Sequence, residues 1–323
     1  MANCNKEFIN YDENISIPTS KRERMSDSRE SSRSKIIKHF KEHHPGYDPT
    51  FWIQGSHKNG LNIRTQDDNC DQDDGIHFNR EPKDSVDGTT LQKWVFDAVK
   101  YDTTEGAEHR NKCIRKKYKE NEMGKYHIDY PLYYQTESMA HPLLAVKNSP
   151  LELSDPKEFT EWLLNQKDDE GQLVRNIKYT KGWCDYIGLK QPMPKGITMT
   201  VLVAKNISFQ KSRDDISLYN TLVNIRKVLN IKCECIMPTT PYDDLLSSYD
   251  QQFKSNFLKV LDDFIGDAYK ALNESSQQNA CELWKKHLGT RFPVTKVSIG
   301  NKTALAGLVG SNKPYFYDRG SFL

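Results

Sequence analysis

The run Cys70-Asp71-Gln72-Asp73-Asp74-Gly75-Ile76-His77-Phe78 constrains the chain more than any other segment, because it sets three carboxylates on a strand-like pattern. Ile76 and Phe78 alternate with polar neighbours, the period of a half-buried strand. Side chains at i and i+2 of a strand share a face, so Asp71 and Asp73 point one way and Asp74 the other. Two adjacent carboxylates repel at neutral pH unless a cation sits between them. Magnesium suits such a pair, since it takes hard oxygen ligands and is held by one or two carboxylates plus substrate phosphates. A competing reading takes residues 67–75 as a solvated acidic loop. A calcium EF-hand loop is excluded: with Asn69, Asp71 and Asp73 at its first, third and fifth positions, Asp74 stands where glycine is needed and Arg80 where the bidentate Glu belongs.

A second aromatic-rich run, residues 125–134, carries Tyr126, Ile128 and Tyr130 on one face and His127 and Asp129 on the other. If this strand lies beside the first, Asp129 completes a three-carboxylate face able to hold two metal ions around an in-line phosphoryl transfer. Upstream, Phe51-Trp52-Ile53-Gln54 reads as a strand running into a Gly55-Ser56 turn. Glycine permits close backbone approach there, and exposed N–H groups favour phosphate oxygens.

The 46 basic and 44 acidic residues leave a net charge of +2, which excludes a globally polybasic nucleic-acid-coating protein. Seven cysteines without a Cys-x-x-Cys, in a chain with no signal-peptide pattern, predict reduced thiols in the cytoplasm. No apolar run approaches the roughly eighteen residues of a membrane helix. The Asn-x-Ser/Thr triplets at Asn14, Asn206, Asn273 and Asn301 are then chance matches. His39 and His43 have helical spacing, but Phe40 occupies the place of the glutamate in a zinc-binding His-Glu-x-x-His, and they are taken as surface histidines.

Residues 1–18 are polar and read as an irregular, mobile end. From Thr19 to about His44 sparse anchors (Met25, Ile36, Ile37, Phe40) predict a long exposed helix ended by Pro45-Gly46. Leu91, Trp94, Val95, Ala98 and Val99 predict a helix between the acidic pair and the third acid. The basic stretch Arg110, Lys112, Arg115, Lys116, Lys117 and Lys119 reads either as a solvated loop or strand or as a phosphate contact. Asp155-Pro156-Lys157-Glu158 predicts a helix start with a capping box. In the next helix Val174, Ile177, Lys181 and Cys184 share one stripe, setting a lysine in an apolar line. Such a lysine either snorkels to water or points into a cleft. Further helical stripes run over 218–229 and 257–272, and Cys233-Glu234-Cys235 reads as strand-like with both thiols on one face. The expected fold class is α+β: a flexible segment 1–18, a helix and mixed-sheet core over 19–150, and a mainly helical C-terminal lobe over 151–323, with the site in the cleft between.

Gln54-Gly55-Ser56, Asp71-Gln72-Asp73-Asp74-Gly75 and His127-Ile128-Asp129-Tyr130-Pro131 resemble the core of the bacterial cGAS/DncV-like nucleotidyltransferases, the CD-NTases of the CBASS anti-phage systems. The likeness runs from about Lys35 to about Val297, and the Asp-x-Asp-Asp-Gly run is similar to the DncV-like branch. What the resemblance implies is a polymerase-β-like core, two Mg²⁺ or Mn²⁺ ions on Asp71, Asp73 and Asp129, and synthesis of a cyclic oligonucleotide from nucleoside triphosphates, a purine cyclic dinucleotide such as cGAMP from ATP and GTP. It implies nucleotide-binding roles for Gln54, Gly55, Ser56, Arg115, Ser154, Lys181 and Asp243. Lys195 stands where related enzymes often have a phosphate-touching serine, and Leu61 stands where they commonly have threonine, a loss for which Thr65 is the candidate replacement. The implied partners are a downstream cyclic-nucleotide-activated effector and a regulatory protein, with no membrane and no obligate nucleic acid. Two alternatives stay open: an RNA-tailing transferase using the same acids, for which no RNA-binding module is visible, and a non-catalytic nucleotide binder, expected to have lost one of the acids. Tyr315–Leu323 is read as a frayed or packed end rather than a docking or conjugation point.

Overall fold

The computed structural model describes residues 1–121 and 124–295. Two helices, α1 (Asn5–Ile15) and α2 (Thr19–His43), precede β1 (Pro49–Gln54), the short α3 (Gly55–Asn59) and β2 (Cys70–Phe78). Then come α4 (Gly88–Val99), β3 (Ala107–His109), β4 (Ile114–Asn121), β5 (Gly124–Tyr130), β6 (Leu132–Tyr134), β7 (Leu143–Leu144) and β8 (Glu152–Leu153). Six helices complete the described chain: α5 (Pro156–Leu164), α6 (Gln172–Gly188), α7 (Gly196–Asn206), α8 (Asp214–Ile231), α9 (Gln251–Asn273) and α10 (Gln277–Leu288).

The strands form one mixed sheet in the order β3-β4-β5-β2-β6-β7-β8, with β1 also paired to β2. β2 runs antiparallel to β1 and parallel to both β5 and β6. Parallel neighbours need a long crossover, and α4 lies on the path that supplies it. α2 and α4 cover one face of the sheet: Ile36, Phe40, Leu91 and Val95 pack with Ile76, Phe78, Ile128 and Tyr130 in one buried cluster. Lys21, Met25, Arg29, Ser32, Ile36 and Phe40, spaced by three and four, form the narrow buried stripe of α2. Asp74 also points to this covered face. It is fully buried and accepts hydrogen bonds from Arg33 Nε (2.8 Å) and Nη2 (2.5 Å). The opposite face of β2 looks toward the helical lobe through Lys181 of α6, and the lobe's core gathers Trp183, Leu222, Phe257, Phe264 and Trp284.

Several sequence expectations are corrected. The N-terminal segment is not irregular: α1 spans most of it and buries Phe8, Tyr11 and Ile15 in the C-terminal lobe. Phe8 sits edge-on to Tyr179, Trp284 and Phe292 with ring centroids 5.0, 4.9 and 5.1 Å apart. The amphipathic spacing of those three residues outweighs the tendency of chain ends to fray. Cys233-Glu234-Cys235 is not a strand, and only Cys235 of the two thiols is buried. Asp155 caps α5 through the backbone N–H groups of Lys157 and Glu158, but Glu158 does not close a capping box; its carboxylate accepts instead from Thr240 N–H and the Tyr242 hydroxyl. By sequence Asp243 or Asp244 reads as a helix N-cap, but neither caps one: Asp244 accepts from the Cys235 and Leu246 N–H groups, and α9 starts later, capped by Asp250. The basic stretch 110–119 is largely consumed by pairs, Arg110 and Lys117 with Glu108, Lys112 with Glu152, Lys116 with Asp102 and Arg115 with Asp129. All seven cysteines are free, and among the described residues no helix is long and apolar enough to cross a membrane. Asn301 and Tyr315–Leu323 lie outside the described residues.

Candidate active site

Strand register assembles the acids. Asp73 of β2 lies directly across from Asp129 of β5, and Asp71 across from His127. On the other side of β2, Gln54 of β1 pairs with Asp73, so the chain enters α3 immediately above that carboxylate. Gly55 turns there with φ +66°, and a β-carbon at this position would fall onto the Asp73 carboxylate. Gly75 is equally confined, because a β-carbon would collide with the side-chain oxygen of Gln54. Gln54 is thereby held beneath the site, donating from Nε2 to the Tyr133 hydroxyl at 2.9 Å. The Ser56 hydroxyl accepts from Lys181 Nζ at 2.8 Å, and the same ammonium donates to the Leu61 carbonyl at 2.9 Å. Lys181 therefore points into the cleft from α6.

The electrostatics are those of a site short of positive charge. Burial, then repulsion by Asp71 and Asp129, pushes the Asp73 carboxyl up to about 8, against the opposing pull of Lys181 and Arg115. Burial lowers the Lys181 ammonium, partly offset by attraction to Asp71 and Asp73. Asp129 is itself engaged: Arg115 donates to its two oxygens from Nε at 2.8 Å and Nη2 at 2.7 Å. Hard carboxylate oxygens on neighbouring strands, one of them pushed up for want of a counter-charge, fit a divalent cation of the magnesium type. Two other groups hold ligand atoms within 4.8 Å of one another, Cys4/Glu7/Cys281 and His141/Asp155/Glu158. The first lies between α1 and α10; in the second, Asp155 shares the cavity wall with Asp73, but Asp155 and Glu158 already serve as cap and loop anchor.

Two cavities meet at Ser56 and Ile197. The first, about 400 Å³, is lined by Gln54, Gly55, Asp73, Ser154 and Asp243; the second, about 700 Å³, by Asp71, Thr65 and Lys181. Thr65 thus reaches the cleft wall, although its hydroxyl is bonded within its own loop to Asp67 and the Asn69 carbonyl. Arg115 lies outside both cavities, in a groove of about 450 Å³ beyond Asp129 shared with Arg110, Lys117 and His127. Lys195 is not brought in. It is exposed just before α7, while its neighbours Gly196 and Ile197 reach the cleft. Sequence reasoning missed Tyr133, Thr200 and Ile197 as walls of the first cavity. Only the alternation of β6 carried a signal for Tyr133, and Thr200 and Ile197 appear on an evenly apolar helix.

A mixed sheet that presents acids beside a Gly-Ser turn, backed by a helical lobe, defines a nucleotidyltransferase-type fold. Residues 49–133 match the family described as "Cyclic GMP-AMP synthase DncV-like, nucleotidyltransferase domain". This segment is thus similar to the nucleotidyltransferase domain of the cGAS/DncV-like enzymes, the CD-NTases. A cyclic AMP-AMP-AMP synthase of Acinetobacter sp. is 28% identical over 149 residues, covering 44% of this chain and 43% of that protein, so the match spans less than half of the relative. The fold is similar to that of a Vibrio cholerae DncV mutant in complex with ATP and GTP (TM-score 0.77, 16% identity, 90% of this chain and 97% of that one). It is similar also to Escherichia coli DncV in a 3'-deoxy GTP bound form (TM-score 0.71, 17% identity, 86% and 93%). A third likeness is to V. cholerae DncV with a linear intermediate (TM-score 0.74, 16% identity, 91% and 98%).

Proposed function

We propose that this protein is a metal-dependent nucleotidyltransferase that joins nucleoside triphosphates into a cyclic oligonucleotide signal. The observation that carries the reading is the register of Asp73 against Asp129, with Asp71 on the same face and the Gly55-Ser56 turn directly above. Asp71, Asp73 and Asp129 are the residues that would hold two Mg²⁺ or Mn²⁺ ions; such ions, when bound, acidify an attacking hydroxyl and neutralise a leaving pyrophosphate.

The chain's own residues do the rest. Gly55 lets the backbone approach the donor triphosphate closely, and Ser56 offers a hydroxyl to it. Lys181, already hydrogen-bonded to that hydroxyl, adds positive charge beside the phosphates. Asp129 accepts the proton of the acceptor ribose hydroxyl, and the α-phosphorus is attacked with loss of pyrophosphate. Ring closure repeats the reaction with the two ends of the linear product exchanged. Gln54, Ser154 and Asp243 line the smaller cavity and hold the nucleoside; Lys195, exposed between Pro194 and Gly196 of the larger cavity, lines neither cavity and is given no contact in this reading.

The likeness to DncV structures holding ATP and GTP supports purine triphosphates as substrates and a cGAMP-like product, whereas the trinucleotide synthase of Acinetobacter supports a larger ring. A role in CBASS anti-phage signalling, through an effector activated by the product, and a cytoplasmic site of action consistent with seven free thiols belong to the same reading. The test is incubation with four radiolabelled nucleoside triphosphates and Mg²⁺ or Mn²⁺, followed by phosphatase and mass spectrometry. A phosphatase-resistant product absent from Asp71→Ala/Asp73→Ala supports the reading and identifies the bases; linear tails on added RNA would overturn it.

A further inference from the structure

We propose that Arg115 is a lock on Asp129, released when phosphate enters the groove beside it, so that the metal set is completed only after nucleotide has arrived. The inference rests on the nucleotidyltransferase reading and adds a positioning residue to it. Arg115 sits opposite Asp129 in the β4–β5 register, and its guanidinium takes both carboxylate oxygens, at 2.8 and 2.7 Å. This planar two-point fit is the strongest form of the pair, and it fixes the direction in which the carboxylate faces. A divalent ion sharing Asp129 with that guanidinium meets a third positive charge at close range in a site sheltered from water. Without phosphate, then, Asp129 is satisfied by the arginine, and Asp73 has only Asp71 beside it to share an ion.

Arg115 has a second anionic partner within reach on its exposed side. Its side chain is about a quarter exposed and lines the groove of about 450 Å³ with Arg110, Lys117, Lys119 and His127. Glu105 and Glu108 are the acids of that wall, and Glu108 is already held by Arg110 and Lys117. A phosphate chain entering there offers the guanidinium an anionic partner that matches its fork as well as a carboxylate does. It also supplies the negative charge that a second ion needs. One exchange of partners therefore couples loading of the second nucleotide to release of Asp129.

The test reads metal binding rather than turnover. Mn²⁺ is titrated into nucleotide-free protein and the free ion followed by electron paramagnetic resonance, for the wild type, Arg115→Gln, Arg115→Lys and Lys117→Gln. Arg115→Gln is expected to bind Mn²⁺ about tenfold more tightly than wild type, the middle of the usual range for coupled sites, and a non-hydrolysable nucleoside triphosphate is expected to shrink the gap below about threefold. Arg115→Lys, which keeps the charge and loses the fork, falls between. Equal affinities for wild type and Arg115→Gln overturn the lock, and so does a Lys117→Gln effect as large as that of Arg115→Gln, which would show only a general field. Asp129→Asn in the Arg115→Gln background is expected to erase the gain. If Mn²⁺ binding survives Asp73→Asn, the placement of the metal itself fails and the lock with it; if Asp73→Asn abolishes binding while Arg115→Gln changes nothing, the lock alone fails.

Discussion

Asp73 and Asp74 are neighbours in sequence, yet they lie on opposite faces of β2 and live under opposite terms. Burial pushes both carboxyls up, but Asp74 is pulled back by two hydrogen bonds from Arg33, whereas Asp73 is pushed further by Asp71 and Asp129. On the covered face a buried charge has been given its partner within the fold. On the cleft face, between Gly55 and Asp129, the partner has been left to come from outside. A carboxylate that is fully compensated holds a structure together, and one that is left under-compensated is ready to bind a cation.

The sharpest way to break the comparison is to neutralise each member in turn. Asp73→Asn is expected to lower nucleotide-joining activity by about a hundred- to a thousandfold, the scale seen when an oxyanion contact is removed, while leaving the thermal midpoint of metal-free protein unchanged or raised. Product formation and a melting curve on the same sample check both halves. Asp74→Ala should do the reverse. It strands Arg33 against the sheet and is expected to cost about 3 kcal/mol of stability, read as a lower urea midpoint at unchanged slope.

Protons provide a second contrast. Because the Asp73 carboxyl is held up at about 8, Mn²⁺ must displace a proton at neutral pH, and the apparent Mn²⁺ affinity should fall about tenfold per pH unit below that value. An isothermal titration in buffers of different ionisation enthalpy would count the proton; pH-independent binding between 6 and 8 would refute it. Further along the same face, burial lowers His77 to about 4. The unfolded imidazole takes its proton near 6.5 and the folded one does not, so this contribution is complete above pH 6.5 and is lost as pH falls toward 4. His77→Phe is expected to remove up to about 3 kcal/mol of that acid sensitivity, seen by comparing urea midpoints at pH 7 and 4.5. The smallest expected effect is that of Lys181→Ala: loss of one charge-assisted contact should raise KM by about tenfold with a lesser change in kcat.

How much of this was legible depended on the range of the signal. The two-residue period of 70–78 separated Asp71 and Asp73 from Asp74, and the structure keeps that separation. It did not reveal that Asp74 would find Arg33, because that pair joins the sheet to a helix whose rotation depends on the whole stripe from Lys21 to Phe40. The alignment of Asp129 with Asp73 was conditional on strand order, which a crossover through α4 decides and local pattern does not. Lys181 was visible as an anomaly in an apolar line. Lys195 was carried by likeness alone, and the chain turns it to solvent at the start of α7. The basic stretch looked available for phosphate only because its acidic partners, Asp102, Glu108, Asp129 and Glu152, are scattered along the sequence.

The docking of α1 has a consequence for how such a chain comes into being. Tyr11 donates to the Leu288 carbonyl 277 positions away, and Phe8 rests on Trp284. The sheet that carries the acids is thus spliced into the helical lobe between its first helix and its remaining six. During synthesis the first helix emerges with its apolar stripe uncovered, meets its first partner at Tyr179 of α6 and cannot complete its burial until α10 has left the ribosome, long after the sheet has had time to close. The lobe that forms the far wall of the cleft is therefore the last part to set, and it sets around a core already in place.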